Sequence, residues 1–149
     1  RAAMPATGGE VPEQQEARPV EEEEAPPRTL YLVGLGLGDE RDVTVRGVDV
    51  VRRCRAVWLE SYTSILGVDK AKLEAFYERP IETAGRETVE SEAEERLLAP
   101  CLDRGSSGGD VAVLVVGDPL CATTHVDLTL RARRLGIRVD VVQNAGLPE

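Results

Sequence analysis

"LYLVGLGLGD", residues 30–39, is a short apolar strand that runs into glycines at alternate positions, Gly34, Gly36 and Gly38, and then Asp39. An apolar stretch that stops at glycine reads as a buried strand leaving its sheet through a loop. Beyond the loop, "TVRGVDVVRRC" has Thr44 as a cap. Val45, Val48 and Val51, with Cys54 or Val50 beside them, form one apolar face at helical spacing. "AVWLE" (56–60) is rich in strand formers, and "SYTS" after it reads as a loop at that strand's carboxyl edge. "DKAKLEAFYE" predicts a second capped amphipathic helix, and "TVESEAEERLLAPCL" a third, with Pro100 disturbing its last turn. "RGSSGGD" (104–110) is a flexible connection by composition. "VAVLVVG" after it is apolar without alternation, as in a parallel sheet covered on both faces. "TTHVDLTLRARRLG" reads as a helix with a threonine cap and Gly136 as its stop, and "IRVDVVQN" returns as a strand. Strand and helix alternating at this spacing predict an α/β fold, a mostly parallel sheet with flanking helices.

The 149 residues suffice for one domain with a real core. Composition divides the chain at about residue 30. Residues 1–29 carry seven acids against three arginines, the run Glu21 to Glu24, five of the nine prolines and no aromatic residue. Such a segment buries too little apolar surface to offset its chain entropy, which predicts a disordered tail over 1–29 and an α/β domain over 30–149. The net charge is −9, of which the tail supplies four units; a domain this acidic argues against non-specific nucleic-acid binding. The longest apolar run, "VAVLVV" at 111–116, is far short of the roughly 18 residues of a membrane span, and the beginning of the chain lacks the apolar core of a secretory signal. Cys54, Cys101 and Cys121 are odd in number and stand at no metal-ligand or redox spacing, which points to a reducing, intracellular setting.

In open parallel sheets ligands bind beyond the carboxyl ends of the strands. The unusual residues fall there: "GLGLGD" after the strand at 30, "ESYTS" at the end of "AVWLE", "GDPLCATTH" at the end of "VAVLVVG" and "NAGLPE" at the end of "IRVDVVQN". A glycine loop lets backbone N–H groups approach a ligand closely, but the spacing is not that of a phosphate site. The sixth position counted from Gly34 is Asp39 rather than glycine, and no Gly-Lys-Ser/Thr follows. Asp39 repels a pyrophosphate, so an uncharged or cationic ligand fits better, with a plain tight turn as the alternative. Asp118 in "GDP" can accept from an amine or from ribose hydroxyls, or can simply make an Asp-Pro turn. His125, the one histidine, falls in the first turn of a helix beside Thr123 and Thr124, so it reads as structural at least as readily as catalytic, and as a solitary histidine rather than a metal site. No nucleophile with its base and no carboxylate pair is evident. A catalytic role then implies a cofactor that brings the reactivity while the protein positions the partners.

"LYLVGLGLGDERDVTVRG", "VWLESYTS" and "VLVVGDPLCATTHVDLTLRARRLGIRVDVVQNA" resemble, in order and spacing, the diphthine synthase family of the tetrapyrrole methylase-like superfamily; the likeness runs from about Leu30 to Ala145. The resemblance implies a cytoplasmic methyltransferase of diphthamide biosynthesis. It uses S-adenosyl-L-methionine to methylate a modified histidine of translation elongation factor 2, and it forms a homodimer. The residues themselves give the expectation of no nucleic-acid, membrane or metal partner, and no catalytic side chain is assigned. By position, Leu37 matches the cofactor-contacting residue of the glycine loop and Asp118 the acid of "GDP". Cys121 stands where the human-type sequence has glycine, and Gly146 and Leu147 where the family has serine and isoleucine or valine. Gly85 replaces an acid expected before "RE". Family members continue for about as many residues again, in a second domain that closes over the cofactor. The resemblance therefore implies the cofactor-binding half of such an enzyme. The alternatives are a non-catalytic module that binds elongation factor 2 or the full-length enzyme, and a methylase acting on a tetrapyrrole, against which "ESYTS" and "ATTH" speak.

Overall fold

The computed structural model describes residues 28–60, 69–119 and 125–145. Five strands form one sheet: β1 (Thr29–Gly34), β2 (Ala56–Glu60), β3 (Glu82–Ala84), β4 (Val111–Val115) and β5 (Arg138–Val142). Their order is β3-β2-β4-β1-β5, and every neighbouring pair is parallel. The helices are α1 (Val45–Arg53), α2 (Lys70–Tyr77), α3 (Arg86–Glu90), α4 (Ala99–Leu102) and α5 (Val126–Arg134). The expected mostly parallel α/β sheet is the architecture observed.

Because successive strand residues point to opposite faces, each inner strand feeds two cores. Leu30 and Leu32 of β1, Trp58 of β2 and Val111, Val113 and Val115 of β4 join one cluster. Val33, Val57, Leu59, Ala112 and Leu114 join the other. The first cluster is closed by α3 to α5 through Val89, Leu97 and Leu128, the second by α1 and α2 through Val50, Val51, Leu73 and Tyr77. All five β4 residues are buried, so a run apolar on both faces rather than alternating is the pattern that physics requires here.

Local signals set most boundaries. The Thr44 hydroxyl accepts the Gly47 N–H at 3.0 Å to cap α1, and Asp69 accepts the Ala71 and Lys72 N–H groups to cap α2. At the end of α5, Gly136 takes φ +83°, and the Ile137 N–H returns to the Ala132 carbonyl at 3.0 Å.

Three expectations need correction, and one strand lies outside them. Val45 is 80% exposed; the buried face of α1 is Gly47, Val50 and Val51, with Cys54 just past its end. The single helix expected over 88–102 is three pieces: α3, a π-turn at Ala93–Leu97, and α4. Pro100 has no N–H to give the carbonyl of Arg96, so the chain restarts there with the proline in the first turn of α4. The edge strand β3 has only three residues and alternates weakly, and no stretch was assigned to it from sequence. His125 is itself the cap residue of α5 and makes no side-chain cap bond; the expected threonine caps, Thr123 and Thr124, lie outside the described residues.

Candidate functional site

The carboxyl edge of the sheet is assembled by backbone pairing beyond the strands. The Leu35 N–H donates to the Val115 carbonyl at 2.8 Å, and Gly36 and Gly117 then exchange bonds of 3.1 and 2.7 Å as an antiparallel bridge. Both glycines hold positive φ, +80° and +82°, a region that costs an L-residue roughly 1–2 kcal/mol. Gly34 is needed for closeness: a Cβ there would stand 2.6 Å from the Gly117 carbonyl oxygen and 2.9 Å from the Asn144 Cβ. The question raised by the glycine loop therefore has a first answer inside the chain. Side chains are absent because three loops pass against one another.

Asn144, just past β5, fastens them. Its backbone N–H donates to Asp118 Oδ2 at 2.6 Å, and its Nδ2 donates to the Gly34 carbonyl at 3.2 Å and the Asp42 carbonyl at 3.0 Å. Asp118 is 8% exposed. Asp39 caps a 3-10 turn at Glu40–Asp42, its Oδ1 accepting the Arg41 N–H at 2.9 Å. A cavity of about 160 Å³ opens between the glycine loop and the start of α2, lined by Leu37, Asp39, Glu40 and Lys72 among others.

Of the residues expected to contact a cofactor, Leu37 and Asp118 each follow one member of the Gly36–Gly117 pair. The structure thus brings them to a single rim. Leu37 is 37% exposed, a large apolar side chain left open beside the cavity. Cys121, Gly146 and Leu147 lie outside the described residues, as does "SYTS". Sequence reasoning did not single out Asn144 or Glu60. Glu60 ends β2 and is 2% exposed, and by strand alternation it faces the α5 side, where His125 is 5% exposed. Burial lowers the His125 pKa, and the nearby Glu60 carboxylate works against that shift. A carboxylate ending a strand at a loop-rich rim was the available signal for Glu60. Asn144 carried none beyond its place after an edge strand.

Among the described residues no group of His, Cys, Asp or Glu side chains is placed to hold a metal ion, and no helix is long and apolar enough to cross a membrane. Among the described residues the rim offers a ligand backbone groups, apolar contact at Leu37, several carboxylates and the Lys72 ammonium.

The family model for tetrapyrrole (corrin/porphyrin) methylases matches residues 29–147. The chain belongs to that family. Among members, it is 58% identical over 118 residues to the diphthine methyl ester synthase of Emericella nidulans and 54% identical to that of Homo sapiens, covering 79% of this chain and 39% of each relative. A solved diphthine synthase superposes with a TM-score of 0.70 at 30% identity, covering 80% of this chain and 45% of that one. This tetrapyrrole methylase chain thus spans about two fifths of the length of the curated relatives it matches. The diphthine synthase resemblance read from "GLGLGDE", "ESYTS" and "VVGDP" is the one these comparisons return.

Proposed function

We propose that this chain carries the cofactor-binding part of a diphthine methyl ester synthase, which uses S-adenosyl-L-methionine to methylate the modified histidine of translation elongation factor 2 in the cytoplasm. The observation that carries the reading is the 54–58% identity to diphthine methyl ester synthases across 118 residues, 79% of the chain.

The rim suits such a cofactor. S-adenosyl-L-methionine is a sulfonium cation without phosphate, and it supplies a methyl group whose leaving group is a neutral thioether. Asp39, Glu40 and Asp42 give the glycine loop a negative character that favours a cation and opposes a pyrophosphate. In this reading Leu37 packs on the adenosine, and Asp118, held by Asn144, accepts from its polar groups; Cys121, Gly146 and Leu147 complete the contacts. Methyl transfer is an in-line displacement, so alignment rather than an acid–base constellation is what the protein supplies.

Calorimetric titration of S-adenosyl-L-methionine into the purified chain, with Asp118→Asn beside it, tests the reading. Binding weakened about tenfold by the variant, roughly 1.4 kcal/mol, is expected. A folded chain that binds no cofactor but retains elongation factor 2 would replace this reading with that of a non-catalytic binding module.

A further inference from the structure

The edge of the sheet opposite the rim holds a feature that methyl transfer does not use. The segments leading into β1, β2, β3 and β4 bring Arg28, Arg53, Arg55 and Arg79 around one groove of about 410 Å³, with Asp110 the one acid among its lining. Asp110 is engaged, its Oδ1 accepting the Thr29 N–H at 2.8 Å.

The arginines are held by neutral acceptors. Arg79 donates to the carbonyls of Val51, Cys54 and Arg55 at the end of α1. Arg28 donates to the Gly105 carbonyl at 3.3 Å, Arg55 to the Ser107 carbonyl at 3.1 Å and Arg53 to the Tyr31 hydroxyl at 3.3 Å. Among the described residues none of the four forms an ion pair; the four pairs formed there all lie within single helical turns elsewhere. A guanidinium has five donors in a fixed fork suited to carboxylates. Four arginines lining the groove against one acid, in a chain of net charge −9, give it a positive balance that suits an anion, with Arg28 and Arg55, each held by a single carbonyl bond, keeping the most donors to spare.

We propose that this groove is the docking site of the chain's own acidic run, Glu21 to Glu24. Two observations select that occupant. The run is the longest block of like charge in the sequence, and its sign is complementary to the groove. It is also tethered at the groove's wall, because only Ala25, Pro26 and Pro27 separate Glu24 from Arg28. Two prolines favour an extended backbone of roughly 3.1 Å per residue, which puts Glu24 about 12 Å and Glu21 about 22 Å of chain from Arg28. Such a short tether raises the effective concentration of the glutamates at the arginines well above that of a free peptide. The docked run neutralises the groove and shields it from other anions.

Backbone amide spectra of the isotope-labelled full chain test this, comparing it with a variant carrying E21Q, E22Q, E23Q and E24Q. The amides of Arg55, Gly108 and Gly109 are expected to shift between the two proteins, and about 0.5 M NaCl should shift them in the parent but not in the variant. Inorganic phosphate should reach these amides at about tenfold lower concentration in the variant, where the competing glutamates are gone. Identical spectra at these positions would overturn the proposal. So would phosphate titrating both proteins equally, which would make the groove a site for an external anion. Arg28→Gln with Arg55→Gln should abolish the difference; if that variant fails to fold, the glutamine variant decides alone, since it leaves residues 28–149 unaltered.

Discussion

Asn144 gives its backbone N–H to the Asp118 carboxylate at 2.6 Å and thereby joins the end of the edge strand β5 to the loop after the central strand β4. Its side chain extends the join to the loop after β1 through the Gly34 and Asp42 carbonyls. One residue thus holds three of the loops that form the rim. Asn144→Ala deletes these two bonds and the one its Oδ1 accepts from the Ala145 N–H at 2.6 Å, and keeps the backbone one, so it should lower unfolding stability by about 1–3 kcal/mol. Urea denaturation measures the loss, and cofactor affinity should fall with it.

Gly34→Ala tests whether the glycine loop is built for closeness within the chain. The new methyl group would meet the Gly117 carbonyl oxygen at 2.6 Å, and backbone cannot move aside as a flexible side chain can. A cost of about 1–3 kcal/mol is expected. Wild-type stability in this variant would show that the crossing of β1 and β4 relaxes freely.

Gly85 caps α3 without a side-chain bond, and a Cβ at that position meets nothing within 4 Å. Gly85→Asp, which restores the acid expected there, should therefore be accommodated and add a few tenths of a kcal/mol by capping the Thr88 or Glu87 N–H. A loss of stability would indicate that the extended cap backbone, at φ −85° and ψ −174°, is not the native one.

The fold was legible where one physical cause acted alone. The strand "VAVLVVG", the Thr44 and Asp69 caps and the Gly136 stop each follow from local chemistry. Legibility failed where tertiary context chose between equal options. Val45 and Val50 suit the helical period comparably, and packing against β1 and β4 selected Val50. The third helix breaks at the π-turn Ala93–Leu97, after which Leu97 and Leu98 are both fully buried, and no single residue of the stretch announces that turn. At the rim, the family resemblance singles out Leu37 and Asp118, and the structure sets each beside one member of the Gly36–Gly117 pair. Asn144 was not legible, because its partners are 26 to 110 residues away in sequence.

Stability should also depend on pH through His125. Its folded-state pKa is lowered by burial below the ordinary value of 6.5, so the unfolded chain takes up a proton before the folded one does. The contribution is fully present above pH 6.5 and is lost as pH falls below that value toward the folded pKa. His125→Gln should flatten this part of the stability profile, as read from denaturation midpoints between neutral and mildly acidic pH.

Burial pushes the Cys54 and Cys101 thiols up to about 12, and both are in the core at 4% exposure. Thiolate is the reactive form, so neither should label with iodoacetamide at about pH 8 in the folded chain, and both should label in denaturant. Mass spectrometry of the two peptides reads this directly. Labelling of either in native buffer would show that its cluster opens on the timescale of the reaction.

Tyr77 makes the sharpest case, because its hydroxyl works against the fold. The ring is fully buried in the cluster beneath α1 and α2 and stands edge-on to Phe76, with centroids 5.2 Å apart. Its hydroxyl has no hydrogen-bond partner among the described residues, and burial raises its pKa to about 12. In the unfolded chain the same hydroxyl is hydrated, so folding bears a desolvation cost of about 1–3 kcal/mol with no bond in return. Tyr77→Phe keeps the ring and its packing and removes only the oxygen. The variant should therefore be more stable than the parent, by about 1 kcal/mol in chemical denaturation. It should also lose the high-pH dependence that a phenol held neutral in the core imposes. A less stable Tyr77→Phe would mean that the hydroxyl has a hydrogen-bond partner in the folded chain.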